Sequence, residues 1–293
     1  MTTDVARVLA IIVVATAAAA ARGAQDPAAR GSIPVFATVT DRNGAGVVDL
    51  RPEDVTLRAD GKPVPVDSFS RDDNPLSMLV ILDTSASLAP KFDGMRIIAA
   101  GFLSQLRPGD RARVGGLSDT IQFSNATADT ADLAASMATI KRGNPTKLYD
   151  ALVASADVLR TESGRRVVLV LSDGEDTSSK ASFRNAVDAL HAYHVTAYSV
   201  GIEANFFNGI REVRVRPHRD LQRFADETGG AYFEFTPTID LDATILRSMG
   251  EMRGPYVLTF TPPVLDGKNH KLEVLSARAG LTVRARKGYF ARP

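Results

Sequence analysis

The sequence predicts an α/β fold: a doubly wound, mainly parallel six-stranded sheet inserted in a small β-sandwich that the two flanks of the chain build together. Three observations predict it. Between residues 74 and 252, short apolar, β-branched runs alternate with segments of helical period, as in a parallel sheet covered on both faces. The stretches before and after are written instead as short alternating strands separated by Gly, Pro, Asn and Asp turns. Each flank is only about 40 residues, too short to bury a core alone, so each needs the other.

Taken in order, residues 1–24 have the form of a secretory signal peptide. Val8 to Ala21 is apolar, Arg7 precedes it, Ala19 and Ala21 give the small-residue cleavage pattern, and Arg22, Gln25, Asp26 and Pro27 follow. A run of about 14 residues falls short of the roughly 20 that span a bilayer. Cleavage and export, to the periplasm or the exterior, are therefore expected, with an uncleaved N-terminal anchor as the alternative. Residues 25–32 form a linker. The first part of the sandwich, 33–73, opens with the alternating Ile33 to Thr40 and the turn signal Asp41-Arg42-Asn43-Gly44. Val55 to Arg58, the turn Ala59 to Lys62 and a closing strand from Val64 to Phe69 make a second hairpin.

The pattern then changes. Strands are expected at Leu76 to Leu82, Ala112 to Leu117, Thr120 to Phe123, Arg166 to Leu171, Val195 to Val200 and Ala231 to Phe235. Helices are expected at Phe92 to Leu106, Ala131 to Ile140, Lys147 to Arg160, Ser182 to Tyr193, His218 to Thr228 and Leu241 to Glu251. From residue 253 the hairpin style returns in Tyr256 to Thr261, His270 to Ser276 and Leu281 to Ala285, the second part of the sandwich.

Composition narrows the function. With 35 basic and 34 acidic residues the formal net charge is +1, which supplies no field for nucleic acid or an anionic membrane. The absence of cysteine excludes disulfides, thiolate metal sites and thiol nucleophiles. His191, His194, His218 and His270 are scattered and suit structural or surface roles. Phe206 and Phe207, followed by Arg211, Arg214 and Arg216, interrupt a strand-to-helix connection and are expected to fold back on the domain, an exposed contact loop being the alternative.

Two strands end in carboxylates. The first delivers Asp83-Thr84-Ser85-Ala86-Ser87; the second ends in Ser172-Asp173-Gly174-Glu175-Asp176. Between them Asn144-Pro145-Thr146 precedes a helix, where Thr146 can cap it or aim its hydroxyl across the rim. In a doubly wound sheet, ligands gather outside the carboxyl ends of strands where strand order reverses. Asp83, Ser85, Ser87, Thr146 and Asp173 can therefore converge. Two carboxylates and three hydroxyls form a hard, all-oxygen set that suits Mg²⁺, with Mn²⁺ or Ca²⁺ as alternatives, rather than zinc or copper. Glu175, Asp176, Ser178 and Asp150 are expected to shape the loops rather than bind the ion.

Asp83-x-Ser85-x-Ser87, Thr146 and Asp173 resemble, segment by segment, the metal-ion-dependent adhesion site of von Willebrand factor type A domains. Val39-Thr40-Asp41, Asp60-Gly61-Lys62, Leu148-Tyr149-Asp150-Ala151, Leu171 to Gly174 and Val283 to Tyr289 are similar to recurring phrases of a bacterial secreted group that carries the domain. Ala86 and Leu88 stand where that group often has glycine and methionine, and Asn144-Pro145 where Gly-Gly is common. The resemblance implies strand order 3-2-1-4-5-6 and hydroxyls from Ser85, Ser87 and Thr146 at the ion, with Asp83 and Asp173 binding directly or through water.

The function expected is a metal-dependent protein-binding module, the divalent cation being completed by an Asp or Glu of a partner protein. Catalysis is not expected. Asp83-x-Ser85 lacks the second aspartate of a phospho-aspartate mechanism, and neither Gly-x-Ser-x-Gly nor a phosphate loop occurs. The alternatives are a Mg²⁺-dependent hydrolase at the same rim and a metal-independent structural subunit of an envelope assembly.

Overall fold

The computed structural model describes residues 31–207, 211–236, 238–254 and 256–292. The signal peptide and most of the linker expected from the sequence lie outside the described residues. Strands β1 (Ile33–Thr40), β2 (Val55–Ala59), β3 (Lys62–Val64) and β4 (Ser68–Arg71) come first. The α/β block follows as β5 (Leu76–Asp83), α1 (Phe92–Leu103), β6 (Arg111–Leu117), β7 (Ile121–Phe123), α2 (Thr130–Ala138), α3 (Leu148–Leu159), β8 (Arg165–Ser172) and α4 (Phe183–Ala192). It continues through β9 (Thr196–Ile202), the ribbon β10 (Ala204–Phe207) and β11 (Glu212–Val215), α5 (Asp220–Thr228), β12 (Tyr232–Phe235) and α6 (Leu241–Arg253). The chain returns to short strands in β13 (Tyr256–Phe260), β14 (Asn269–Ser276), β15 (Thr282–Ala285) and β16 (Gly288–Phe290).

The central sheet has the order β12-β9-β8-β5-β6-β7, parallel except for β7 against β6. Counted along the chain this is 3-2-1-4-5-6, as the resemblance implied. Every residue of β5 is buried because strands pair with both its edges and helices cover both its faces. Met78, Val80 and Leu82 point to one face with Ile98 and Phe102 of α1, Leu133 of α2 and Met249 of α6. Leu79 and Ile81 point to the other with Leu152 of α3, Leu190 of α4 and Phe224 of α5. This period-2 split of a continuous apolar run makes β5 the axis of both cores.

The flanks combine as expected. One sheet has the order β15-β1-β13-β4 and the other β16-β14-β2-β3, so strands from before and after the block sit side by side in each. Val35, Leu57, Leu258, Phe260, Leu272 and Tyr289 form their shared core. Three details differ from the sequence reading. The turn at Asp41 to Gly44 closes on a single bridge, Thr40 with Gly46, and no second strand forms there. Val64 to Phe69 is not one strand: β3 stops at Val64, and β4 pairs with β13 in the opposite sheet. Pro65, lacking a backbone donor, falls where the chain crosses between the sheets. Strand β16, which carries no alternating pattern of its own, is added by pairing to β14.

Buried arginines join sandwich to block. Arg286 donates from Nε to the Gly288 carbonyl at 2.6 Å, from Nη2 to the His191 carbonyl at 2.5 Å and from Nη1 to His194 Nδ1 at 2.8 Å. His191 and His194 are thus structural. Burial, with the Arg286 charge adding to it, pushes His191 down to about 3 and His194 well below the ordinary histidine range. Among the described residues no helix is long and apolar enough to cross a membrane.

Candidate metal centre

Strands β5 and β8 are hydrogen-bonded neighbours, with Leu82 opposite Leu171, and their carboxylates emerge together at the rim. From there the chain after β5 turns to α1 on one face, and the chain after β8 turns to α4 on the other. This divergence opens the crevice that a switch point provides.

Asp83 is fully buried. Its Oδ1 accepts from the Ser85 backbone N–H at 2.9 Å, and its Oδ2 accepts from the Ser172 hydroxyl at 2.6 Å. Burial raises its pKa from 3.8 to about 6; the Ser172 hydrogen bond opposes the rise and the neighbouring Asp173 charge adds to it. A carboxylate held this way is costly to ionise unless a cation compensates it.

The other residues are laced around it. Ser85 Oγ lies 3.2 Å from Ser87 Oγ, and the Ser87 hydroxyl donates to Asp173 Oδ2 at 2.8 Å. Asp173 Oδ1 accepts from the Glu175 N–H at 3.1 Å. The segment bearing Thr146 is tied to both neighbours. Asn144 Oδ1 accepts from the Ala86 N–H at 3.1 Å, and the Gly143 N–H donates to the Thr84 carbonyl at 3.1 Å. The Thr146 carbonyl accepts from the N–H groups of Thr177 and Ser178, and its own N–H donates to Thr177 Oγ1. Thr146 does not cap α3 with its side chain: Lys147 holds the N-cap position, and the backbone of Thr146 is already committed to the loop after β8. The residue is 5% exposed, and among the described residues its hydroxyl has no hydrogen-bond partner.

All five expected residues therefore stand on three connections that are hydrogen-bonded to one another. Two supports escaped the sequence reading. Ser172 is the last residue of β8; its Oγ donates to Asp83 and accepts from the Gly174 N–H at 2.9 Å, coupling both carboxylate loops. Its place next to Asp173 was the available signal, but a strand-end serine looks like ordinary capping chemistry. Asn144, noted only as a departure, spaces the first two connections. Asp150 accepts from the N–H groups of Lys180 and Ala181, and Asp176 accepts from the Tyr149 N–H, so both shape loops. Glu175 is exposed. The side chains of Phe206 and Phe207 lie outside the described residues; the backbone there forms the β10–β11 ribbon.

The donor set fits a hard divalent cation by its chemistry: two carboxylates and three hydroxyls, all oxygen, with the Asp83 carboxylate fully buried. Among the described residues no group of three or more His, Asp or Glu side chains is placed to hold a metal. A cation centre here rests on hydroxyls as much as on carboxylates.

The model of the von Willebrand factor type A domain family matches residues 78–241. No curated protein sequence matches the chain. Among solved structures, an aerotolerance-related membrane protein from Bacteroides fragilis superimposes with a TM-score of 0.50 at 14% identity, covering 60% of this chain and 98% of that one. A von Willebrand factor type A protein from Catenulispora acidiphila gives 0.49 at 13% identity, covering 88% and 74%. A mussel byssus proximal thread matrix protein described with a zinc-occupied MIDAS motif gives 0.48 at 12%, covering 66% and 48%.

Proposed function

The chain belongs to the von Willebrand factor type A domain family, and from that premise we propose that it is an exported, non-catalytic module that binds a protein partner through a divalent cation. Domains of this family commonly mediate protein–protein interaction and often bind a divalent metal. Asp83 and Asp173 would hold the ion with their carboxylates, and Ser85, Ser87 and Thr146 with their hydroxyls. Mg²⁺ is the ion proposed first. The cation, when bound, supplies a hard Lewis-acidic position that an Asp or Glu carboxylate of the partner can enter.

One observation carries this reading. The Ser85–Ser87–Asp173 chain of oxygens and the buried Asp83 are held on loops bonded to one another, so the donor set is organised before any ion arrives. Prearranged ligands lose little freedom on binding. The chain's own residues have separable tasks: Ser172 orients Asp83, Asn144 spaces the first two loops, and Asp150 and Asp176 brace the third. Export is supported by the apolar Val8 to Ala21 segment.

The test is a pull-down with the full chain from a native envelope fraction, with Mg²⁺ and with EDTA, paired with calorimetric titration of Mg²⁺, Mn²⁺ and Ca²⁺. A partner retained in Mg²⁺ and lost both in EDTA and in Asp83→Ala supports the proposal. A partner held equally in all three conditions refutes the metal bridge.

A further inference from the structure

A groove leaves the rim of the sheet between β7 and α2, and nothing in the metal reading uses it. Its volume is about 890 Å³, inside the roughly 300–1,000 Å³ range of ligand-binding clefts. Two consecutive glycines of β6 form part of its wall, and both are needed for its shape. A Cβ on Gly116 would lie 2.6 Å from Ile140 Cγ2, and one on Gly115 would lie 2.5 Å from the Gln122 carbonyl. Hydroxyl and amide side chains, among them Thr120, Gln122, Asn125 and Ser136, are the commonest groups of the lining.

The groove is continuous with the candidate metal centre. Its upper wall contains Ser118 and Asp119, which follow β6 at the rim, and Lys141 and Arg142, which lie directly before the segment bearing Thr146. The Gly143 N–H in turn donates to the Thr84 carbonyl beside Asp83. Charge is distributed unevenly along it. Lys141 and Arg142 are exposed and make no ion pair among the described residues. Asp119, the carboxylate at that end, already accepts from the Ser118 hydroxyl and the Thr120 N–H. Asp132, in the first turn of α2, is the carboxylate at the lower end. Lys180, in the loop after β8, is also exposed and outside any ion pair among the described residues, and Glu175 is an exposed carboxylate of the same loop. The two adjacent bases Lys141 and Arg142 thus give the groove a locally basic mouth beside the candidate centre.

The geometry points to a specific kind of partner: an extended segment whose acidic end occupies the cation and the Lys141–Arg142 mouth, and whose neutral or basic end runs down the groove toward Asp132. This rests on the metal-bridge reading and adds a length, a direction and a charge polarity to it. Charge complementarity selects the occupant: a single carboxylate satisfies the ion, but only clustered carboxylates match the surrounding bases. A polar wall of hydroxyls and amides suits main-chain and polar side-chain hydrogen bonds better than an apolar helix face.

The experiment is peptide display from a random library against the full chain in Mg²⁺, followed by affinity measurement of the selected peptides in Mg²⁺ and in EDTA. Two variants sit at exposed positions: Ala135→Trp, which fills the groove from α2, and the pair Lys141→Glu with Arg142→Glu. Circular dichroism and Mg²⁺ titration verify that each is folded and binds the ion. The expected result is a set of peptides with Asp or Glu clustered at one end, lost in EDTA, weakened at least about tenfold by either variant, and weakened by salt. Peptides that require Mg²⁺ but carry a lone acidic residue and ignore both variants overturn the groove and leave the metal bridge standing. Acidic peptides weakened by both variants yet indifferent to EDTA uphold the groove and overturn the metal bridge. Failure to enrich any peptide overturns the groove as a peptide site.

Discussion

Replacing Asp83 with asparagine should stabilise the protein in the absence of metal, although Asp83 is a proposed ligand. Burial lifts the Asp83 pKa from 3.8 to about 6, so at neutral pH the folded state holds an ionised carboxylate that the unfolded state would expose to water. The difference of about 2 pKa units corresponds to ~3 kcal/mol at about 1.4 kcal/mol per unit. Asparagine removes that cost but must reverse the hydrogen bond from Ser172, a loss of ~1 kcal/mol. The net expectation is a gain of ~2 kcal/mol in EDTA near pH 7.5. The sign follows from proton binding. Between the unfolded and folded pKa values the native state binds more protons, so the Asp83 contribution is fully present below about pH 4 and is lost as pH rises through about 6. The wild-type chain should therefore fall behind Asp83→Asn over that interval. With Mg²⁺ at a hundred times its dissociation constant, the wild type recovers about 2.7 kcal/mol and the order closes or reverses. Urea unfolding followed by circular dichroism between about pH 4 and pH 8, with Mg²⁺ or EDTA, measures all of this. A variant less stable than wild type in EDTA at neutral pH, or a difference that does not change with pH, would show that burial of the Asp83 charge is not what costs the folded state.

Ser172→Ala removes the donor to Asp83 Oδ2 and the acceptor for the Gly174 N–H, so Mg²⁺ affinity measured by calorimetry should drop about 10- to 100-fold, as for a lost orienting partner. Asp150→Ala strips the Lys180 and Ala181 N–H groups of their acceptor and should cost ~1–2 kcal/mol in urea unfolding while leaving the identity of the preferred ion unchanged. The His191 pKa is depressed by burial to about 3 from 6.5, so the unfolded state takes up a proton that the folded state refuses, and stability is lost as pH falls below about 6.5. His191→Gln should remove that part of the acid sensitivity, narrowing the loss between about pH 6.5 and 4.5 by roughly 2–3 kcal/mol in the same unfolding assay.

Much of the architecture, and the residue types of the candidate centre, are legible in local pattern. The apolar run Met78 to Leu82 has the length and composition of a strand covered on both sides, and its abrupt end in Asp83-Thr84-Ser85 marks the rim. Strands alternating with helices then point to a parallel sheet, and the resemblance to type A domains implies the order that puts a switch point between the first and fourth strands. The flanks, too short to fold alone, had to combine, and they do. Apart from the strand order, these conclusions depend on local pattern and on burial requirements, which composition and periodicity encode directly.

How the residues are held is a matter of contacts between segments distant in the chain. Which sheet β4 joins, and with it the crossing at Pro65, depends on a partner strand nearly 200 residues away, and the three residues of β16 take their place only from β14; strands this short carry no label for their partner. The same holds at the site. Ser172, Asn144 and Asp150 act through hydrogen bonds to loops that are distant in sequence, and short polar residues at strand and helix ends have the same appearance whether they cap, turn or orient a ligand. Periodicity reports which face of an element is buried. It does not report which loop meets which at the rim, and that meeting joins the connections that carry Asp83, Ser85, Ser87, Thr146 and Asp173.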